Sequence, residues 1–277
     1  MHFAVRHTTR YGYDVPVVLG PHRLRLTPRR AGVQLISQSL RITPQPSERT
    51  EWTDAQGNHT TELHFSGTAQ QLEIESRFEL ETLELPALAG PMPPLPWTPR
   101  GDPALEPCYA AGKLHPSVRR FAESVLGELG SSEPLTFLDH LCHALHTRFE
   151  RRVRPSGHAT ASDLTLASGR GASRDLAQLF MDSCRALGLP ARFASGYKAG
   201  ADPRGGESDL HGWPEIWLGE LGFRGWDPTR GMRVAREHVA LCAAPLQSDT
   251  LPVEGGFTFS DRPPHSTLEF HVELSAS

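Results

Sequence analysis

Residues 171–197, GASRDLAQLFMDSCRALGLPARFASGY, decide how this chain is read. From Ser173 onward, Leu176, Leu179, Phe180, Cys184 and Leu187 recur at helical spacing and make one apolar stripe. Gly188 then offers the left-handed residue that closes a helix, and Pro190 launches a segment, ARFASGY, of strand composition. Downstream, a Gly- and Pro-containing loop from Lys198 to Ser208 leads to HGWPEIWL (211–218) and FRGWD (223–227), joined by GELG as a hairpin. Pro214 removes a ladder donor, so its strand is expected at a sheet edge or at a bulge. A helix followed by antiparallel strands predicts an α+β core. The terminal STLEFHVEL (266–274) alternates Leu268, Phe270, Val272 and Leu274 with polar residues, which predicts a half-buried strand returning to a sheet.

Upstream the pattern changes. HFAVRHTTRYGYD, RLRLTPR, SQSLRIT, TTELHF and QLEIESRFELETLEL are short runs of alternating polarity separated by turn residues such as Asp54, Gly57 and Asn58. They predict an antiparallel β-sandwich over 1–85. Residues 86–107 hold eight prolines in 22 positions, which forbids a helix interior and a central strand and predicts an extended connector. Residues 108–277 make the second domain and open with helices near 116–129 and 134–149, the latter with Leu135, Leu138, Leu141, Cys142, Leu145 and Phe149 on one face. His140, His143 and His146 invite a metal reading. Six residues of helix turn the first and last apart by roughly 120°, so no metal is expected there.

Bulk properties narrow the partners. The chain has 277 residues, 38% of them hydrophobic, enough for a real core. Its net charge of −4 comes from 32 acidic and 28 basic residues spread along the sequence, so a nucleic-acid partner is not expected. The amino terminus has no apolar signal core and the chain no 18-residue apolar run, so neither membrane nor export is expected. Cys108, Cys142, Cys184 and Cys242 form no CxxC pair, and a reducing, cytoplasmic setting suits them. With no P-loop or dinucleotide fingerprint, no cofactor is expected.

Three segments carry chemistry: GASRDLAQLF around Ser173, DLHGWPEIW around His211 and GWDPT around Asp227. His211 follows Ser173 by 38 residues and Asp227 follows His211 by 16. A nucleophile in the first turn of a helix sits beside the positive end of the helix dipole and near unpaired N–H groups that can receive an oxyanion. A histidine on one strand can take its proton, and an aspartate on the hairpin partner can hold the second ring nitrogen. One ring nitrogen of His211 is therefore expected to face Ser173 and the other Asp227. Tyr197, Trp213 and Trp226 are candidates for lining a substrate cleft, with core packing an equal reading of the tryptophans.

In these motifs the chain resembles the bacterial transglutaminase-like family, an offshoot of the papain-like cysteine hydrolases. RYGYDVPVVLGPHRLRLTPR (10–29) is similar to the amino-terminal domain that accompanies these enzymes, Gly171 to Tyr197 to the nucleophile helix and its strand, HGWPEIW to the histidine segment and GWDPT to the aspartate segment. The resemblance implies a Cys/His/Asp triad that cleaves or transfers peptide and isopeptide amides through a thioester, with a peptide or protein substrate and an amine as the acceptor in transfer. By position, His211 would be the base and Asp227 its orienter. Ser173 stands where the family has its nucleophilic cysteine.

That replacement matters because a thiol at a helix terminus beside histidine can reach a pKa of roughly 3.5–7.5, whereas a hydroxyl must lose its proton during attack. Cys184, about 16 Å along the same helix by its rise, cannot stand in for it. Three histories fit: a replacement introduced to quiet the enzyme, a natural inactivating one, and a working serine nucleophile. The other function class is a non-catalytic module that binds peptides or a partner protein in the same cleft.

Overall fold

The computed structural model describes residues 1–98, 101–109, 114–154, 157–200 and 210–277. The amino-terminal part is built around β1 (His2–Leu24), flanked in chain order by β2 (Val33–Thr43), β3 (Glu48–Thr53), β4 (His59–His64) and β5 (Ala69–Thr82). The sheet order is β2-β5-β1-β4-β3. Strand β1 alternates strictly at its start, with Phe3, Val5, His7 and Thr9 buried, and it changes partners along its length: residues 2–12 pair with β5, and His22 to Leu24 with β4. One strand thus ties two antiparallel layers around a shared core that includes Leu24, Leu63, Leu72, Ile74 and Leu80. RLRLTPR is not a strand of its own. Its first two residues end β1, and the rest is buried coil whose Arg29 N–H donates to Ala240 O at 2.9 Å. Strand β3, ERTEWT, was not legible because all six residues are exposed at the sheet edge and carry no alternation.

Residues 86–98 run extended, as their prolines require, but they pack as they go. Leu95 is buried in the second core, and Trp97 N–H donates to Leu187 O. Helices α1 (Pro116–Gly127) and α2 (Pro134–Arg148) follow, each with proline in its first turn, where a missing N–H costs nothing. Glu133 caps α2 by accepting from Leu135 and Thr136 N–H. The short strand β6 (Glu150–Arg151), helix α3 (Ser162–Ser168) and strand β7 (Arg170–Gly171) lead into α4 (Ser173–Ala186). Helix α4 buries Leu176, Leu179, Phe180, Met181 and Cys184 almost completely. Each large apolar side chain so buried contributes about 1.5–3 kcal/mol, so this helix anchors its domain.

Strands β8 (Ala191–Lys198), β9 (His211–Trp217), β10 (Phe223–Asp227), β11 (Met232–Arg233) and β12 (His238–Ala244) form the second sheet in the order β11-β10-β9-β8-β12. Pro214 is therefore on an interior strand, contrary to expectation. Pairing of β9 with β10 runs only from Trp217 to Glu215, so Pro214 lies past its end and withholds no ladder bond. Strands β13 (Val253–Thr258) and β14 (Ser266–Ala276) both return to β1. The second domain's tail thus completes the first domain's sheet. Tyr197, Ala199, Val239 and Leu241 belong to the amino-terminal core, so the two sheets share one apolar interior. Among the described residues no helix is long and apolar enough to cross a membrane.

Candidate active site

Helix α4 starts one residue earlier than a cap at Ser173 would require. Ala172 is the cap and Ser173 the first helical residue, while the Asp175 carboxylate reaches back 2.8 Å to accept from Ala172 N–H. Ser173 is thereby released from capping and presented at the positive end of the helix. His211 opens β9 and Asp227 closes β10, and the antiparallel hairpin brings the two side chains together. His211 Nε2 lies 2.9 Å from Asp227 Oδ2, with both residues buried. That bond leaves Nδ1 as the ring nitrogen available for base chemistry. Ser173 and His211 line the same cavity, of about 370 Å³.

Gly212, next to His211, is required by close packing: a Cβ there would lie 2.4 Å from Phe193 Cζ. Thr229 explains the rest of the GWDPT motif. Its N–H (2.9 Å) and hydroxyl (2.5 Å) both donate to Asp227 Oδ1, fixing the carboxylate in one orientation. Burial alone would push this carboxyl up, but the histidine charge and hydrogen bonds outweigh it and hold Asp227 well below the usual range.

Two functional residues were not legible. His238, at the head of β12, places Nε2 3.2 Å from Asp227 Oδ2, so two imidazoles share one carboxylate oxygen. Gly196 permits this approach across β8, since a Cβ there would meet Val239 O at 2.0 Å and the Trp213 ring at 2.9 Å. The HVALCAA run could have marked a buried strand, but nothing in it points to Asp227. His7, on β1, lines the cavity from the other domain. Burial pushes its pKa down to about 4, so it is neutral near pH 7.

The three expected cleft residues serve differently. Tyr197, Trp213 and Trp226 are at most 1% exposed and do not line the cavity. The Tyr197 hydroxyl and His7 Nδ1 are 2.6 Å apart, which fixes the residue that does face it. Trp213 packs against both histidines, with ring centroids 6.1 Å from His211 and 5.2 Å from His238. Trp226 stacks on Phe180 and donates to Asp139. Large flat rings at these buried positions exclude water, and Trp213 fixes the imidazoles of His211 and His238 by packing against them. The Gly- and Pro-containing loop from Lys198 to Ser208 falls, beyond residue 200, outside the described residues.

His211, Asp227 and His238 are also a potential metal set among the described residues, with ligand atoms within 4.8 Å of one another. Both oxygens of Asp227 already receive hydrogen bonds, and the spacings are those of donors to a carboxylate, so the geometry suits a hydrogen-bonded network. Of the α2 histidines, His140 contacts Glu128 and His146 the Thr229 carbonyl.

Comparison with known proteins agrees with this architecture. An uncharacterized protein of Mycobacterium tuberculosis is 26% identical over 282 residues, covering 91% of this chain and 86% of its own. One from Mycobacterium leprae is 23% identical over 266 residues, with 91% of each covered. A crystal structure from Cytophaga hutchinsonii, provisionally assigned as a cysteine protease, superposes with a TM-score of 0.70 at 18% identity, covering 99% of this chain and 90% of that one, and so shares the fold. Residues 3–81 match the bacterial transglutaminase-like N-terminal region, and residues 121–228, with Ser173, His211 and Asp227, match the transglutaminase-like superfamily core.

Proposed function

We propose that this protein is a transglutaminase-like hydrolase or acyltransferase of peptide and isopeptide amides, with Ser173 at the nucleophile position, His211 as base and Asp227 as its orienter. The observation that carries the reading is the buried 2.9 Å bond from His211 to Asp227, with His211 and the first residue of α4 opening on one cavity. In this chemistry the nucleophile attacks the amide carbonyl carbon while its proton passes to His211 Nδ1. The C–N bond then breaks, and the amine leaves with that proton. Water or a second amine attacks the acyl-enzyme, and the nucleophile recovers its proton. Oxyanion charge falls beside the first-turn N–H groups of α4. With serine the acyl link is an ester, and attack must be concerted with deprotonation, so turnover is expected to be low.

Ser173→Cys tests this directly. The introduced thiol should alkylate with iodoacetamide near pH 7 on the order of 10²-fold faster than the four native cysteines, because helix terminus and His211 favour the thiolate. The native thiols are buried, and burial raises all four pKa values, Cys242 to about 12. Labelling at 173 no faster than at these four would overturn the reading. The second reading, a peptide-binding module with a silent nucleophile, is favoured by the hydroxyl itself. It predicts a fast-labelling Ser173→Cys variant and a parent protein that holds peptides without cleaving them.

A further inference from the structure

Strand β1 buries Phe3 and Val5 in the shared apolar core, and the next two residues on that face, His7 and Thr9, reach the cavity that holds Ser173 and His211. Both are polar and buried. Behind them lies Tyr197 of β8, fully buried, with its oxygen 2.6 Å from His7 Nδ1, while His7 Nε2 is 3.1 Å from Thr9 Oγ1. The three side chains form one line from the interior to the cavity wall. Proton counting gives that line a direction. Burial pushes the Tyr197 phenol up, so it keeps its hydrogen, and His7 Nδ1 is the acceptor within reach. The opposite arrangement, with Nδ1–H donating to the phenol oxygen, would leave a buried O–H without an acceptor. Nε2 therefore carries the ring hydrogen and donates to Thr9 Oγ1. Thr9 cannot then donate back to His7, and its hydroxyl has no further partner among the described residues, so its own hydrogen is turned to the cavity that it lines.

We propose that Thr9 is a substrate-binding residue whose hydroxyl donates to a backbone carbonyl of the peptide, with His7 and Tyr197 as positioning residues that hold that hydrogen outward. The inference rests on the reading of this cavity as the substrate cleft. The surrounding wall suits a neutral stretch of backbone: Phe270 of β14 lies directly opposite Thr9 and Leu268 opposite Tyr11, and all four line the cavity. A carbonyl laid on such a surface gives up its water. A donor already fixed in place returns the lost hydrogen bond with little further ordering. The amino-terminal sheet therefore takes part in substrate recognition, through a buried chain that crosses from β8 to β1.

Paired changes in protein and ligand test this in the full-length chain carrying Ser173→Cys. The probe is a blocked Ala-Gly-Leu chloromethyl ketone, compared with two analogues in which one or the other internal amide is a trans-alkene, similar in shape but lacking the carbonyl. Each labelling rate at position 173 is divided by the iodoacetamide rate of the same variant, which removes changes in the nucleophile itself. One of the two alkenes should lower the normalised rate about tenfold, through weaker binding of the reagent and not through slower alkylation once bound. Thr9→Val, which keeps the shape and loses the hydroxyl, should lower the rate of the full peptide about tenfold and make it insensitive to that alkene, and Thr9→Ser should restore the sensitivity. Tyr197→Phe lets His7 accept from Thr9 and should cut the alkene effect to about threefold, which serves if Thr9→Val does not fold. An alkene effect equal in the Thr9 and Thr9→Val proteins, absent from both, or unmoved by Tyr197→Phe would overturn the inference. Iodoacetamide alone separates it from the reading beneath it. Fast labelling at position 173 without alkene sensitivity would leave the triad standing and remove only the role of Thr9, whereas slow labelling would remove both.

Discussion

His238 and His211 donate to the same atom: Nε2 of the first lies 3.2 Å, and Nε2 of the second 2.9 Å, from Asp227 Oδ2. His238 is 7% exposed, and its Nδ1 has no hydrogen-bond partner, so the neutral tautomer with the proton on Nε2 fits the site. Its pKa is lowered, first by burial, which agrees with a neutral ring. On the proposed reading His238 is a positioning residue: it contacts the carboxylate that orients the proposed base, His211. In the Ser173→Cys background, His238→Ala should slow alkylation about tenfold and destabilise the fold by about 1–3 kcal/mol, the cost of a buried acceptor losing a donor. His238→Gln retains a donor amide and should recover most of the labelling rate. Equal rates for alanine and glutamine would show that only packing is lost.

Thr229 determines what an amide would do at position 227. Because its N–H and hydroxyl both donate to Oδ1, Asp227→Asn should keep its oxygen toward Thr229 and present its NH2 to His211. The imidazole then meets a donor at Nε2 and must carry its proton on Nδ1, where it cannot accept one from the nucleophile. Alkylation of Ser173→Cys/Asp227→Asn should fall on the order of 10²-fold, with a modest change in melting temperature. An unchanged rate would mean that Asp227 does not set the tautomer.

Burial of His7 at the domain junction makes stability depend on pH. Its folded pKa, about 4, is below the ordinary histidine value of 6.5, so the unfolded chain takes up a proton that the folded chain refuses. Stability from this group is complete above about 6.5 and lost as pH falls toward 4, up to roughly 3 kcal/mol. His7→Gln should flatten urea-derived stability between pH 6.5 and 4.5 relative to the parent. An identical slope in both proteins would show that His7 is protonated without cost.

A buried ion pair joins the two sheets. Glu215 on β9 lies 2.7 Å from Arg192 and 3.5 Å from Arg29, the latter from the amino-terminal domain. Burial pushes Glu215 up, but the two arginines outweigh it and hold it below the usual range. Glu215→Ala would leave two guanidinium groups buried without their carboxylate and should destabilise the fold by about 3–5 kcal/mol. A loss under about 1 kcal/mol in urea titration would show that water reaches this cluster.

Much of this protein was determined by sequence alone, because local periodicity encodes what neighbouring residues do. The α4 stripe, the strand after Gly188 and the HGWPEIW and GWDPT hairpin formed as their spacing required; STLEFHVEL formed a strand that returns to a sheet, but only Val272 and Leu274 are half-buried while Leu268 and Phe270 are exposed. The motif order was enough to bring His211 and Asp227 together, since a tight hairpin leaves them little choice. Tertiary structure decided the rest. It showed that β13 and β14 close on β1, so that His7, Leu268 and Phe270 reach the cavity from the amino-terminal sheet. It put Tyr197, Trp213 and Trp226 beneath the site instead of beside the substrate, and it set His238 against Asp227 through the side chain that Gly196 lacks. These relationships join residues far apart in the chain by packing across sheets. A one-dimensional pattern records which face of a strand is buried but not what it is buried against.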